Sequence, residues 1–166
     1  MRSSSITRDH VGTRLTTADH AGEARVVRQA ISLLEKRLYP SGPSLSTPEA
    51  AHDYLQLQLM KEPSEVFAVV FLTTQHQVIA CEILFRGTID GVDVHPRVVA
   101  QRALVHNAAA ILVAHQHPSG KTVPSAADRA VTRRLRTALD LIDVRLLDHL
   151  VIGKGAPYSF AYHGLI

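Results

Sequence analysis

A chain of 166 residues is long enough for one domain with a proper core and a short appendage. Its 46% hydrophobic and 20% charged content exclude wholesale disorder, and its single cysteine excludes an internal disulfide or a cysteine-rich zinc module. A net charge of +3 and a pI near 9.3 permit a nucleic-acid partner without arguing for one.

Aromatic residues make up only 5% and tryptophan is absent, so the core is expected to be built from Leu, Val, Ile and Ala. Ten histidines exceed what this length ordinarily carries and are a first compositional hint of metal chemistry. The opening "MRSSSITRDHVGTRLTTADHAG" has no apolar stretch of the secretory kind, and the longest apolar runs are about half of what spans a bilayer. The expectation is a protein of the cytoplasm with no membrane partner, and one unpaired cysteine agrees with it.

Residues 1–17 read as a disordered arm, Ser-, Thr- and Arg-bearing without periodicity. From Asp19 a helix is expected, with Val27, Ala30, Ile31, Leu34 and Leu38 forming one apolar stripe. "YPSGPSLSTP" breaks it. "STPEAAHDYLQLQLM" starts a second helix, with Thr47 as N-cap, Pro48 at the first helical position and Glu49 in the first turn. After "KEPSE" come two strands, "VFAVVFLT" and "QVIACEILF", read as an antiparallel hairpin. A helix over Pro96 to Asn107 should face inward through Val99, Ala103 and either His106 or Leu104. "AAAILVAHQ" reads as a buried central strand. "SAADRAVTRRLRTALDLI" reads as an amphipathic helix with Val131, Leu135, Ala138, Leu139 and Ile142 on one side. "VRLLDHLVIG" is a further strand and "PYSFAYHGLI" a short final strand or tail. The order implies an α/β fold, a mixed β-sheet flanked by helices, with residues 1–45 as arm and helix and 46–166 as the main domain.

The chemistry gathers in "AHQHPSGKTVPSAAD", Ala114 to Asp128. Strand side chains alternate, so His115 and His117 project together from the C-terminal end of a buried strand. Two imidazoles do not complete a catalytic zinc site, which usually takes three protein ligands. Ser125 is a suitable N-cap and Asp128 follows at the capping-box interval, so the helix start can bring Asp128 to the histidines as a third ligand. The bland alternative gives Ser125 and Asp128 capping roles only and leaves the histidines in a turn. Among the remaining polar residues, Asn107 and His106 precede the metal strand, and His149 in "DHLVIG" could orient a ligand from a neighbouring strand. Cys81 reads as a small buried hydrophobe.

His-x-His, seven residues, Ser, two residues, Asp resembles the signature of the JAMM (MPN+) zinc metalloproteases. The run "GTIDGVDVHPRVVAQRALVHNAAAILVAHQHPSG", followed by "DHLVIG", is similar to the bacterial RadC family within that superfamily, and "SFAYHGLI" resembles its short, prophage-type members. The similarity runs from about Thr47 to Ile166. It implies a cytidine-deaminase-like JAMM architecture. It also implies one Zn²⁺ per chain on His115, His117 and Asp128, with a water in the fourth position.

The same resemblance implies a general base just before the first core strand, where Glu65 stands, with Glu62 and Glu82 as rivals. Glu82 lies mid-strand as a structural or supporting acid, and Glu62 is expected to be exposed. The motif serine, Ser125, is implied to hydrogen-bond a developing oxyanion, and its hydroxyl can also cap the helix. The reaction implied is hydrolysis of an amide or isopeptide bond in a protein or peptide substrate. The family commonly has Asn between the histidines, where this chain has Gln116; that side chain should point away from the metal. Longer RadC proteins carry a helix-hairpin-helix DNA-binding region, and the first 45 residues are too short for it and lack its Gly-x-Gly hairpin.

Two readings compete with the hydrolase. One is a nucleic-acid-associated repair or recombination accessory protein whose zinc domain is a platform, with Arg129, Arg133, Arg134 and Arg136 meeting phosphates. The other is a metal-bound scaffold with little turnover. The blander alternative for the arginines is a solvated helix face. Substrate, partner and oligomeric state stay open.

Overall fold

The computed structural model describes residues 17–38, 42–59, 62–87, 93–117 and 119–166. The chain divides into two compact units, Met1–Tyr39 and Pro40–Ile166. The first is represented by α1 (Thr17–Leu38), which starts two residues before Asp19 and takes in Thr17, the last residue of the expected arm at 1–17; residues 1–16 lie outside the described residues. Val27, Ile31 and Leu34 of its apolar stripe are exposed. No helix among the described residues is long and apolar enough to cross a membrane.

The second unit is built on a five-stranded sheet with the order β2-β1-β3-β4-β5. Its strands are β1 (Val66–Leu72), β2 (Val78–Arg86), β3 (Ala110–Gln116), β4 (Arg145–Ile152) and β5 (Tyr158–Ser159). β1 pairs antiparallel with both β2 and β3, β3 pairs parallel with β4, and β5 is antiparallel to β4. The sheet is therefore mixed, as the order of elements implies. The hairpin forms because two β-branched runs flank a polar turn in which His76 takes a positive φ of 58°.

All seven residues of β1 are buried, because both faces of the sheet are covered there. Alternation sends Val66, Ala68, Val70 and Leu72 to one side, with Ala110, Leu112 and Ala114 of β3. There they meet Ala51, Leu55 and Leu59 of α2 (Pro48–Leu59). The Thr47 hydroxyl accepts the Ala50 N–H at 3.2 Å and starts that helix, as expected of an N-cap. Half-buried Cys81 packs on this cluster, and burial pushes its thiol up, which keeps it protonated and unreactive.

Phe67, Val69 and Phe71 point the other way with Ile111 and Val113. α3 (Pro96–Val105) covers them through Val99 and Ala103, and α4 (Ala126–Asp140) through Leu135 and Leu139. Each such side chain contributes about 1.5–3 kcal/mol by leaving water. Of the two inward candidates after Ala103, His106 is the one that faces the protein. Its ring lies 4.6 Å from that of Phe71, while Leu104 is exposed.

Candidate metal centre

β3 delivers the first two residues. Ile111 and Val113 enter the core beneath α3 and α4, and His115 continues that row at the strand end, only 2% exposed. His117 follows one residue past the strand and faces it, with the two Nε2 atoms 2.9 Å apart. The turn behind His117 depends on Gly120, whose φ of +78° suits glycine and whose N–H donates to the His117 carbonyl at 2.9 Å. That turn brings the Lys121 carbonyl to 2.7 Å from His117 Nδ1. A carbonyl only accepts, so Nδ1 carries the proton and Nε2 of neutral His117 presents a bare lone pair.

A longer chain of bonds sets His115. The Thr132 hydroxyl donates to the Asp128 carbonyl at 2.6 Å, so its oxygen accepts from His149 Nδ1–H, also at 2.6 Å. His149 Nε2 is then an acceptor and takes the proton of His115 Nδ1 at 2.8 Å. His115 Nε2 is therefore a second bare lone pair, aimed at the first. Thr132 and His149 are buried at 1% and 0% exposure, and Phe67 and Phe160 hold the His149 ring between them. Burial drives the pKa of His149 well down, and neighbouring His115 and His117 push the same way. Burial likewise lowers His115, to about 4, with Asp128 opposing and His117 reinforcing.

Between neutral rings these two lone pairs, 2.9 Å apart, repel, and a proton or a metal ion between them relieves the repulsion. Carboxylates stand ready beside them. Asp128 Oδ1 lies 3.3 Å from His115 Nε2. That is the separation of roughly 3.3 Å expected for two donor atoms holding a tetrahedral zinc at ~2.0–2.1 Å. Its other oxygen, Oδ2, accepts from both the N–H and the hydroxyl of Ser125, each at 2.6 Å. Asp128 thus caps α4 with one oxygen and offers the other to His115. The capping reading of this residue is met.

Glu65, the residue before β1, places a carboxylate oxygen within 4.8 Å of a ring nitrogen of both histidines. It arrives there because Phe67 is registered opposite His115 across the antiparallel pair. Gln116 points away from the cluster, and its Nε2 donates to the carbonyls of Glu62 and Ser64 at 2.5 and 3.3 Å, tying down the segment that carries Glu65. Burial raises the Glu65 pKa; His117 lowers it and Asp128 raises it further. Glu65, His115 and Asp128 line one cleft of about 230 Å³.

The rival acids lie elsewhere. Glu62 pairs with Arg86 at 2.5 Å, and its side chain is 21% exposed, half-buried where an exposed one was expected. Glu82 accepts two bonds from Arg102 (Nε to Oε2 at 2.8 Å, Nη2 to Oε1) and one from His106 Nε2 at 2.8 Å. His106 therefore braces α3 against β2. The Arg102 bonds pull the Glu82 carboxyl from 4.5 to about 2, against its own desolvation and with help from His106. A depressed carboxylate stabilises the fold above its unfolded pKa and loses that contribution as the pH falls from about 4.5 toward 2. The urea midpoint of the wild type should accordingly drop between neutral pH and pH ~3, and Glu82→Gln should flatten that drop.

Ser125 caps α4 by accepting the Asp128 N–H at 3.1 Å and directs its hydroxyl proton to Asp128 Oδ2. It does not line the cleft among the described residues. Capping leaves the hydroxyl proton free; the Asp128 carboxylate is what occupies it.

Thr132 and His149 complete the site. Thr132→Val keeps the volume and leaves His149 Nδ1–H without an acceptor, so His149 is expected to move its proton to Nε2 and force one onto His115 Nε2. Zinc affinity in competition titrations should fall about 10–100-fold, as for other partners that orient a metal ligand, and Thr132→Ser should restore it. Nitrogen-15 shifts of the His115 ring would show the change of tautomer directly.

Mixed sheet, covering helices and a donor cluster at a strand end together define an α/β domain with a candidate metal centre. A family model described as "RadC-like JAB domain" matches residues 45–165. The chain is 58% identical over 125 residues to a UPF0758 protein of Halorhodospira halophila, covering 75% of this chain and 56% of that one. A UPF0758 protein of Xylella fastidiosa is 58% identical over 123 residues, with 74% and 55% covered. One from Xanthomonas axonopodis pv. citri is 54% identical over 137 residues, with 82% and 59% covered. The chain belongs to the RadC family and carries its JAB/MPN-type domain. It spans a little over half the length of these curated relatives.

Proposed function

We propose that this chain is a zinc-dependent hydrolase of JAMM type that cleaves an amide or isopeptide bond in a protein or peptide. The observation that carries this reading is the meeting of two imidazole Nε2 atoms, 2.9 Å apart, with Asp128 Oδ1 3.3 Å from that of His115. His115, His117 and Asp128 would hold the ion. The donor set of two nitrogens and one carboxylate oxygen suits zinc and leaves a position open. Zinc bound there supplies a Lewis acid that polarises a carbonyl and acidifies water.

The remaining roles belong to the protein. Glu65 takes a proton from the attacking water as its oxygen bonds to the carbonyl carbon. It returns that proton to the amine nitrogen as the carbon–nitrogen bond breaks. Ser125 turns its hydroxyl proton from Asp128 Oδ2 toward the developing oxyanion, while its oxygen goes on accepting the Asp128 N–H. The buried His115–His149–Thr132 chain keeps the His115 lone pair turned to the ion throughout.

Metal analysis of the chain purified near neutral pH without chelator should find about one zinc per chain. A chain that neither retains nor takes up zinc would sink this reading. Its substrates are best sought by trapping with Glu65→Gln, using Asp128→Ala as the metal-free control.

A further inference from the structure

The cleft beside the metal centre has one feature that the hydrolytic chemistry does not use. Arg134 lines it, together with Glu65, Asp93, His115 and Asp128. Arg134 is exposed, and no described side chain pairs with it. It is also the one lysine or arginine on these walls among the described residues.

Helical geometry explains its isolation. At 3.6 residues per turn, Ala127, Ala130, Val131 and Arg134 fall within about 100° of each other on α4, and all four line the cleft. Thr132, Leu135 and Leu139 occupy the adjoining face, which is buried. Arg129 and Arg136 fall on the side opposite the cleft, and Arg133 lies between Arg129 and the cleft edge at Ala130. The basic run "DRAVTRRLR" is thus two features, a stripe of exposed Arg133 and Arg136 with half-buried Arg129, and a single arginine in the cleft.

Arg134 lies six residues beyond Asp128, about 9 Å along the helix axis. Two to three residues of extended peptide cover that distance at roughly 3.3–3.6 Å each. A cation so placed, in a cleft whose other charges are carboxylates, fits a substrate with one anionic group at a fixed remove from the bond being cut. A nucleic-acid backbone, charged along its whole length, would meet Glu65, Asp93 and Asp128 on the way.

Accordingly, we propose that Arg134 is a specificity residue that binds a substrate carboxylate two to three residues from the scissile bond, above all the C-terminal carboxylate of a peptide cut near its end. This rests on the hydrolase reading of the site. Guanidinium and carboxylate match in planar, bidentate fashion, and arginine serves this recognition better than lysine.

The test uses the zinc-loaded Glu65→Gln chain, with its zinc content measured first. It is titrated with acetylated oligoalanine peptides ending in a free carboxylate, in an amide, or in an amide after a final glutamate. The Arg134 Nε–H signal is followed by NMR. The free-carboxylate peptide should bind about tenfold more tightly than the plain amide and shift that signal. Arg134→Gln should erase the difference without altering zinc content, and Arg134→Lys should recover part of it. Tighter binding of the glutamate-bearing amide than of the free carboxylate would assign the carboxylate to an acidic side chain and keep the residue's role. Equal binding of all three peptides, no binding of any, or tighter binding of a short oligothymidylate would overturn the proposal. Absence of zinc is read separately and counts against the hydrolase reading itself.

Discussion

Replacing Asp128 with asparagine is expected to lower zinc affinity by more than about a hundredfold, beyond the 10–100-fold typical of losing an outer partner of a metal ligand. The asparagine keeps one oxygen. That oxygen can still accept the Ser125 N–H, so the start of α4 survives while the negative charge facing His115 Nε2 is gone. Alanine removes both functions. Asp128→Ala should lose zinc to the same extent and in addition cost on the order of 1 kcal/mol of stability from the broken cap. Competition titration with a chelator of known affinity gives the first quantity and urea unfolding of the metal-free proteins the second. Equal zinc loss with unequal stability separates the two oxygens of one carboxylate. Zinc binding undiminished in Asp128→Asn would shift the third-ligand role to Glu65, whose oxygen lies within 4.8 Å of a ring nitrogen of both histidines.

The approach of these residues follows from the sequence, because strand alternation and the capping box are local rules. His115 and His117 share a side for the first reason, and Asp128 returns to them for the second. The sheet was legible on the same grounds: β-branched runs in "VFAVVFLT" and "QVIACEILF" pair as expected, and "AAAILVAHQ" is buried apart from half-buried Ala109 and Gln116. That His149 could orient a ligand from a neighbouring strand was open to the sequence, but which ring it meets depends on registers between distant segments. His149 meets His115 across 34 residues and a parallel pair whose register shifts between Ile111 and Leu112. No spacing in the sequence encodes that meeting.

The available signal was Asp148-His149, a polar pair inside an apolar strand. Both are spoken for. Asp148 accepts from the His149 and Ala161 N–H groups and from the Ser159 hydroxyl, which secures the C-terminal turn, while His149 faces α4. A helix stripe counted in apolar residues alone leaves out Thr132, although it sits one turn before Leu135 on the buried face. The arginine run hid its division for a similar reason. Adjacent residues on a helix point about 100° apart, so a cluster in sequence need not be a patch.

Glu65→Gln should leave zinc content at the wild-type level and lower kcat by about 10²–10⁴, the usual contribution of a positioned general base. The amide matches the carboxylate in shape and can still hydrogen-bond water, but it cannot take the proton that must reach the leaving amine. Steric or folding effects are controlled by its neighbours. Gln116 continues to bind the Glu62 and Ser64 carbonyls in the variant, so the backbone that presents position 65 is held as before. Glu62→Gln and Glu82→Gln serve as the comparison. The first loses its pair with Arg86 and the second its bonds from Arg102 and His106, and neither side chain lines the cleft among the described residues. Both should retain turnover within a few-fold. A Glu65→Gln chain that hydrolyses trapped substrates at the wild-type rate would remove Glu65 from the chemistry. One that loses its zinc would instead make Glu65 a ligand. Turnover and metal content measured on the same preparation therefore decide which carboxylate holds the ion and which moves the proton.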